Sequence, residues 1–268
     1  MDQNAKYKSL QKELKKMGSL VVAFSGGMDG TVLLAAAREA LGDGVKAVTV
    51  STPYVAGWEE GEALQIAREL KVSHQVIKHP VFEAIRDNPP QRCYLCKKNI
   101  FTSIIEQAEK QGYGYVADGT NVDDYEDIRP GIRALRELGV KSPLADCGIN
   151  KQDIRELSRQ MGLSTWNKPA YACLLSRLPF HTTIRQELLE RIEQAELLVR
   201  DAGFPAARVR THEEIARIEV PPGQLEAFLK KASQINLARQ LKKLGYKYVT
   251  LDMEGYRMGS FNDPEIKQ

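Results

Sequence analysis

Leu20-Val21-Val22-Ala23-Phe24 is an unbroken apolar run, followed by Ser25-Gly26-Gly27-Met28-Asp29-Gly30 and then by the helix-forming stretch Thr31 to Ala40. The first run predicts a buried strand and the last a helix, so a short Gly-rich loop must turn the chain between them. Two glycines permit that turn, their N–H groups can point at an anion, and the helix N-terminus adds favourable potential for negative charge. Strand, loop and helix together predict a phosphate cradle. The loop has neither the Lys of a Walker A sequence nor the third Gly of a dinucleotide-binding turn.

The alternation continues. Strands are expected at Leu20 to Phe24, Lys46 to Ser51, His74 to Lys78 and Tyr115 to Asp118, with helices at Thr31 to Leu41, Glu59 to Leu70 and Lys97 to Gln111. This βαβα rhythm predicts a parallel sheet with helices on both faces, whose ligands bind beyond the carboxyl ends of the strands. A further helix is expected at Lys151 to Met161 and a long one at Ile184 to Ala202. Beyond it the texture changes to paired strands at Arg208 to Arg210 and Ala216 to Val220, a helix over Pro222 to Lys243 and a last strand at Tyr246 to Asp252. The parallel alternation stops near Phe180, which divides the chain into an α/β domain, 1–180, and a smaller α+β domain, 181–268.

Composition narrows the class. Hydrophobic residues make up 43% of 268 and charged residues 27%, with a net charge of +3, as expected for a globular enzyme and too small a basic balance to argue for nucleic acid. No apolar run approaches the roughly 20 residues of a membrane span. Met1 to Lys16 is polar and charged with no apolar core, so no secretory signal is expected and a cytoplasmic location is. Four cysteines in such a chain point to metal ligation or thiol chemistry rather than a disulfide scaffold.

Three further segments carry chemistry. In Arg92-Cys93-Tyr94-Leu95-Cys96-Lys97-Lys98 the spacing lets both sulfurs hold one metal or cluster, and the cations and helix start favour thiolate. Two half-buried loop cysteines or a redox dithiol are the other readings of the pair. Cys173 lies in Lys168-Pro169-Ala170-Tyr171-Ala172-Cys173-Leu174-Leu175-Ser176-Arg177, a Pro-marked apolar stretch where a lone Cys reads as packing or as a reactive group. The segment Gly119-Thr120-Asn121-Val122-Asp123-Asp124-Tyr125-Glu126-Asp127-Ile128-Arg129-Pro130-Gly131 follows a strand, so its acids are placed to hold Mg2+ on a triphosphate and Arg129 to face an anion. Asp118 at the strand end is a further candidate, and a solvated acidic loop is the alternative. Cys147, in Leu144-Ala145-Asp146-Cys147, reads as packing. Arg208, Arg210, Arg217, Glu219 and Asp252 read as ordinary surface charges, with a second phosphate or an assembly partner as the other option.

The Ser25 loop resembles the SGGxDS loop of the PP-loop ATP pyrophosphatases (adenine nucleotide alpha hydrolase-like fold), with Gly30 standing where that family usually has Ser. Thr31 or backbone amides would have to replace the missing hydroxyl. RCxxCK, GTNxDD…RPG and KPxxxCLxSR, in this order, together with Leu251 to Ser260, resemble the LarE-type ATP-dependent sulfur transferases over nearly the whole chain. The resemblance implies adenylation of a carboxylate on a pyridinium-dicarboxylate nucleotide, then conversion to a thiocarboxylate for a nickel-pincer cofactor. It implies ATP on Ser25, Gly26, Gly27, Asp29, Gly30, Thr31, Gly119, Thr120 and Asp123, with Mg2+. Cys173, Asp29 and Arg177 take the catalytic roles, and Arg129, Arg177 and Lys168 neutralise the substrate's carboxylate and phosphate. Sulfur comes either from Cys173 itself, leaving dehydroalanine, or from sulfide on a [4Fe-4S] cluster held by Cys93, Cys96 and Cys173. The Cys93–Cys96 pair favours the cluster, while Zn2+ on four thiolates remains open on spacing alone. The expected partners are a small-molecule carboxylate nucleotide, a sulfur donor and a second copy of the chain, and neither nucleic acid nor membrane. Sulfur insertion into tRNA and amide formation by a PP-loop synthetase with a structural Zn site are the rival enzymatic readings, and a non-catalytic nucleotide- or cluster-binding protein is the rival from another class.

Overall fold

The computed structural model describes residues 2–125, 130–169 and 171–256. They fall into two compact units, Met1–Ile85 with Gln91–Tyr171, and Arg86–Pro90 with Ala172–Gln268. In the first unit, in chain order, stand α1 (Gln3–Met17), β1 (Leu20–Ala23), α2 (Met28–Leu41), β2 (Val45–Ser51), α3 (Gly57–Glu69), β3 (Ser73–Lys78), α4 (Arg92–Lys110), β4 (Tyr115–Ala117), α5 (Pro130–Glu137), α6 (Pro143–Asp146) and α7 (Lys151–Gln160).

The sheet has the order β3-β2-β1-β4 and every pairing is parallel. Successive strands step one way from β1 to β3, and β4 then returns to the other side of β1. That reversal makes the carboxyl ends of β1 and β4 the switch point where ligands of such sheets bind. Period-two alternation sends Leu20 and Val22 to one face, against α1, α2 and α7, and Val21 to the other, with Val48, Phe101, Ile104 and Leu135. The central helix α2 is buried along most of its length, from Met28 through Ala37.

The unit has helices that the sequence reading does not give. The polar N-terminus forms α1, whose N-cap Asp2 accepts from the Ala5 amide and whose Leu10 and Leu14 lie on one buried stripe. The short helices α5 and α6, which the apolar pattern does not announce, cover the stretch between β4 and α7.

The second unit holds α8 (Gln186–Asp201), β5 (Arg208–His212), β6 (Ile215–Glu219), α9 (Leu225–Gln234), α10 (Leu237–Lys243) and β7 (Tyr248–Leu251). β5 and β6 pair antiparallel and β6 and β7 parallel, over a core that includes Val199, Val209, Ala216, Ile218, Phe228 and Leu241. The single helix expected over Pro222 to Lys243 is broken at Asn236, which adopts left-handed backbone at φ 52° and ψ 43°. Asn is one of the few non-glycine residues that enters this region at modest cost, so it ends one helix and starts another. Asn88, from the short Arg86–Pro90 segment, is fully buried in this unit. Its Nδ2 donates to the carbonyls of Leu178 and Pro179, and its own carbonyl accepts from the His181 amide. Among the described residues no helix is long and apolar enough to cross a membrane.

Candidate active site

The Ser25 loop leaves β1 at the switch point and enters α2. Gly26 sits at φ 71°, and a Cβ there would lie 3.1 Å from backbone atoms of Ala63 in α3. Both facts require glycine. Gly27 is the extended N-cap of α2, and its carbonyl accepts from the Thr31 amide at 2.9 Å. The helix supplies no acceptor to the amides that precede Thr31, and these are the donors an anion would meet. Thr31 is 1% exposed and donates its hydroxyl to the Gly27 carbonyl at 2.7 Å, so it does not stand in for the hydroxyl absent at Gly30. A Cβ at Gly30 would meet the Phe24 ring at an ordinary 3.4 Å, whereas one at Gly119, after β4, would fall 2.9 Å from the Gly30 amide nitrogen. The two loops of the switch point therefore touch through glycine, and the constraint is on Gly119.

These loops wall a cleft of about 470 Å³ lined by Ser25, Gly27, Asp29, Gly30, Asp118, Gly119 and Thr120, with Thr49 of β2 at its side. That volume is within the range of small-ligand sites. Thr49 donates to the Phe24 carbonyl at 2.5 Å, so its oxygen is left to accept from His74 Nε2 at 2.8 Å. Burial holds His74 below its ordinary pKa and so favours the neutral ring, with Glu60 opposing.

The carboxylates in and beside the cleft are organised by neighbours. Asp118 is buried and accepts from Thr120 Oγ1 at 2.5 Å and Ser142 Oγ at 2.8 Å. Asp124 accepts from the amide and Nδ2 of Asn121, both at 3.0 Å, bracing its own turn. Asp29 is held by Lys151 Nζ, at 2.5 and 2.7 Å from its two oxygens, while the exposed Asp123 accepts from the Lys151 amide at 2.9 Å. Lys151 opens α7, 122 positions from Asp29. Sequence reading misses it, because only the fold brings it to the loop. Lys168, expected to face the substrate, instead donates to the Gly26 carbonyl at 2.7 Å and pairs with Glu62 at 2.6 Å. Arg129 lies outside the described residues.

Helix α4 begins at Arg92 rather than at the expected Lys97, so Cys93 and Cys96 both stand within its opening residues. Their spacing of three places both on one side of the helix. Cys93 is exposed; Cys96 is half-buried, 3.2 Å from the hydroxyl of the buried Tyr54. Cys147 is buried in the core, and burial pushes its thiol pKa up, as suits a packing residue. Among the described residues no three His, Cys, Asp or Glu side chains are gathered for a metal ion.

In the second unit, Cys173 is half-buried and extended, and it caps the short helical turn Leu174–Arg177. Arg177 was expected to meet substrate, but its side chain is 3% exposed and forms a two-pronged pair with Glu196, both contacts at 2.8 Å. Its remaining nitrogen donates to the carbonyls of Ala172 and Cys173 and to Ser176 Oγ. It organises the backbone around Cys173. Arg208, Arg210 and Glu219, read as surface charges, are buried, and this too corrects the expectation. Arg210 pairs with Glu219 at 2.8 Å and donates to the Ser176 carbonyl, while Arg208 donates to Ala207 and lies against the Tyr256 ring. Arg217 joins Glu219 to Asp252.

Comparison with known proteins agrees with this architecture. The family model described as queuosine biosynthesis protein QueC matches residues 19–89, which span β1 to the segment after β3. The pyridinium-3,5-bisthiocarboxylic acid mononucleotide synthase of Lactiplantibacillus plantarum is 37% identical over 97% of this chain and 94% of its own. An uncharacterized protein of Synechocystis sp. is 36% identical over 96% of this chain and 97% of its own. The argininosuccinate synthase of Pyrococcus furiosus is 27% identical over 56% of this chain and 40% of its own. A nucleotide-type loop at the switch point and near full-length identity to a synthase lead to one conclusion: the chain belongs to the LarE-type family of PP-loop ATP-dependent sulfur transferases.

Proposed function

We propose that this protein adenylates a carboxylate of a pyridinium-dicarboxylate mononucleotide and replaces the activated oxygen with sulfur, leaving a thiocarboxylate. The carrying observation is the switch-point cleft, whose amides, carboxylates and cation suit a magnesium triphosphate, in a chain aligned end to end with a bisthiocarboxylic acid mononucleotide synthase.

In this reading the ATP phosphates rest on Ser25, Gly26, Gly27 and Gly30, beside Thr31, with Gly119 and Thr120 closing the far wall. Asp29, Asp118 and Asp123 supply oxygens for Mg2+, the ligand type that ion takes. Lys151, which pairs with Asp29, would neutralise phosphate where Asp29 turns to the cation. A substrate carboxylate oxygen attacks the α-phosphorus, and pyrophosphate leaves with the electron pair of the broken P–O bond. The step is needed because a carboxylate is a poor electrophile and its oxygen a poor leaving group. A sulfur nucleophile then attacks the acyl carbon and AMP departs. Where the sulfur is that of Cys173, the thiol loses its proton and forms a thioester. Removal of the Cys173 α-proton then breaks its Cβ–S bond, leaving dehydroalanine and the thiocarboxylate. Arg177, by holding the Cys173 carbonyl, positions this residue rather than touching substrate.

Cys93 and Cys96 fit two ligand positions of a [4Fe-4S] cluster, being neighbouring thiols at the start of one helix with Lys97 and Lys98 after them. Cys173 would have to supply the third thiolate, and such a cluster would then supply sulfide at the iron that three thiolates leave open. Zinc is the alternative occupant. A small nucleotide acceptor, a sulfur donor, a homo-oligomer and a cytoplasmic location belong to the same reading.

The test incubates oxygen-free protein with ATP, Mg2+ and pyridinium-3,5-dicarboxylate mononucleotide. Equal AMP and pyrophosphate, with the acceptor gaining sulfur for oxygen by mass spectrometry, is the expected result. Pyrophosphate release without sulfur incorporation would sink the transfer step and favour a synthetase. Iron and acid-labile sulfide content of the same sample, beside any loss of the mass of hydrogen sulfide from Cys173, separates the two sulfur sources.

A further inference from the structure

We infer that Lys168 is a positioning residue that locks the Gly26–Gly27 peptide in its anion-accepting orientation. The inference rests on the reading of the Ser25 loop as the ATP phosphate site, and it gives Lys168 a role distinct from contact with the substrate.

A trans peptide points its C=O and its N–H in opposite directions. The described chain has no cis peptide bonds. Lys168 Nζ stands 2.7 Å from the Gly26 carbonyl oxygen, so the ammonium fixes one side of this peptide and thereby the direction of the Gly27 N–H on the other. Gly27 lines the cleft and is the N-cap of α2, where the helix provides its amide with no acceptor. A Gly-Gly peptide is the one most easily turned over, because neither residue has a Cβ to oppose it. Turned over, it would present a carbonyl oxygen to phosphate and remove a donor. Two other contacts hold the arrangement. Gly26 lies against the Ala63 backbone, and Glu62, the preceding residue of α3, pairs with Lys168 at 2.6 Å. The Lys168 side chain is only 13% exposed, so the ammonium is confined between the Gly26 carbonyl and Glu62 rather than free to follow a ligand.

The test measures binding of inorganic pyrophosphate and, separately, of adenosine to the full chain by calorimetry, with Tm recorded for each variant. Lys168→Met is expected to weaken pyrophosphate about tenfold or more, the scale of one charge-assisted hydrogen bond, and to change adenosine affinity less than about twofold on the same reasoning. Lys168→Arg, which keeps a cationic donor, is expected to restore most of the pyrophosphate affinity. Unchanged pyrophosphate binding in Lys168→Met overturns the lock. Loss of both ligands with a lowered Tm also overturns it, since Lys168 would then brace the fold. Glu62→Gln, which leaves the Gly26 contact in place, is expected to retain pyrophosphate binding; a loss equal to that of Lys168→Met would place the effect in the ion pair instead. Failure of the unaltered protein to bind pyrophosphate is a different result, and removes the phosphate-site reading on which the lock rests.

Discussion

Gly26 and Arg177 show how single residues constrain each unit. Gly26→Ala forces an alanine into left-handed backbone at φ 71°, which costs about 1–2 kcal/mol, and pushes its methyl into the Ala63 backbone. Thermal unfolding should register the loss, and pyrophosphate release should fall further than stability alone explains. A variant with unchanged turnover would remove the loop from nucleotide binding. Arg177→Met leaves Glu196 buried without its two-pronged partner and frees the Cys173 carbonyl. Breaking a buried pair from one side costs about 3–5 kcal/mol, so urea denaturation should show a destabilisation of that order. A cost below about 1 kcal/mol, the value of an exposed pair, would mean that Glu196 finds another partner or proton. Sequence reading names both residues but assigns Arg177 to the substrate. The side-chain direction follows from Glu196, on a helix whose face cannot be placed against the Cys173 turn from spacing alone.

The helices and strands of the first unit are largely legible, because apolar runs and period-3.6 stripes repeat along β1 to β4. Helix α1 is not, since two leucines among lysines and glutamines make a faint stripe until α2 is there to receive it. The β2–β3 pairing carries a pH dependence through His74. Burial lowers its pKa from the ordinary 6.5, so the folded state prefers the neutral ring and the unfolded state binds the proton first. The stability that it contributes is therefore complete above pH about 6.5 and falls as the pH drops through the lower folded value. His212, in β5, is lowered chiefly by burial, then by Arg217 and Arg210, and acts with the same sign. Denaturation midpoints from pH 7.5 to 5 should fall more steeply in the unaltered protein than in His74→Gln, whose amide can still donate to Thr49. Parallel curves would show that His74 titrates alike in both states.

For the molecule as a whole, the proposed chemistry divides between the units: the Ser25 loop and the Cys93–Cys96 pair lie in one, and Cys173 in the other. Cys173→Ala should therefore preserve adenylation, read as pyrophosphate release, and abolish sulfur transfer. Thiocarboxylate formed by that variant would take Cys173 out of the mechanism. Spacing makes these groups visible in the sequence. It does not show Lys151 on Asp29, nor Arg86–Pro90 serving the second unit, because both depend on contacts across long stretches of chain. The second case bears on inheritance. Asn88 donates to Leu178 and Pro179 from within a loop that the first unit's sequence encloses, so the main chain leaves the first unit, returns, and leaves again. Neither unit can then be exchanged between genes by a single crossover: a recombinant joined at Tyr171 would pair each half with a stranger's Asn88 or a stranger's Leu178.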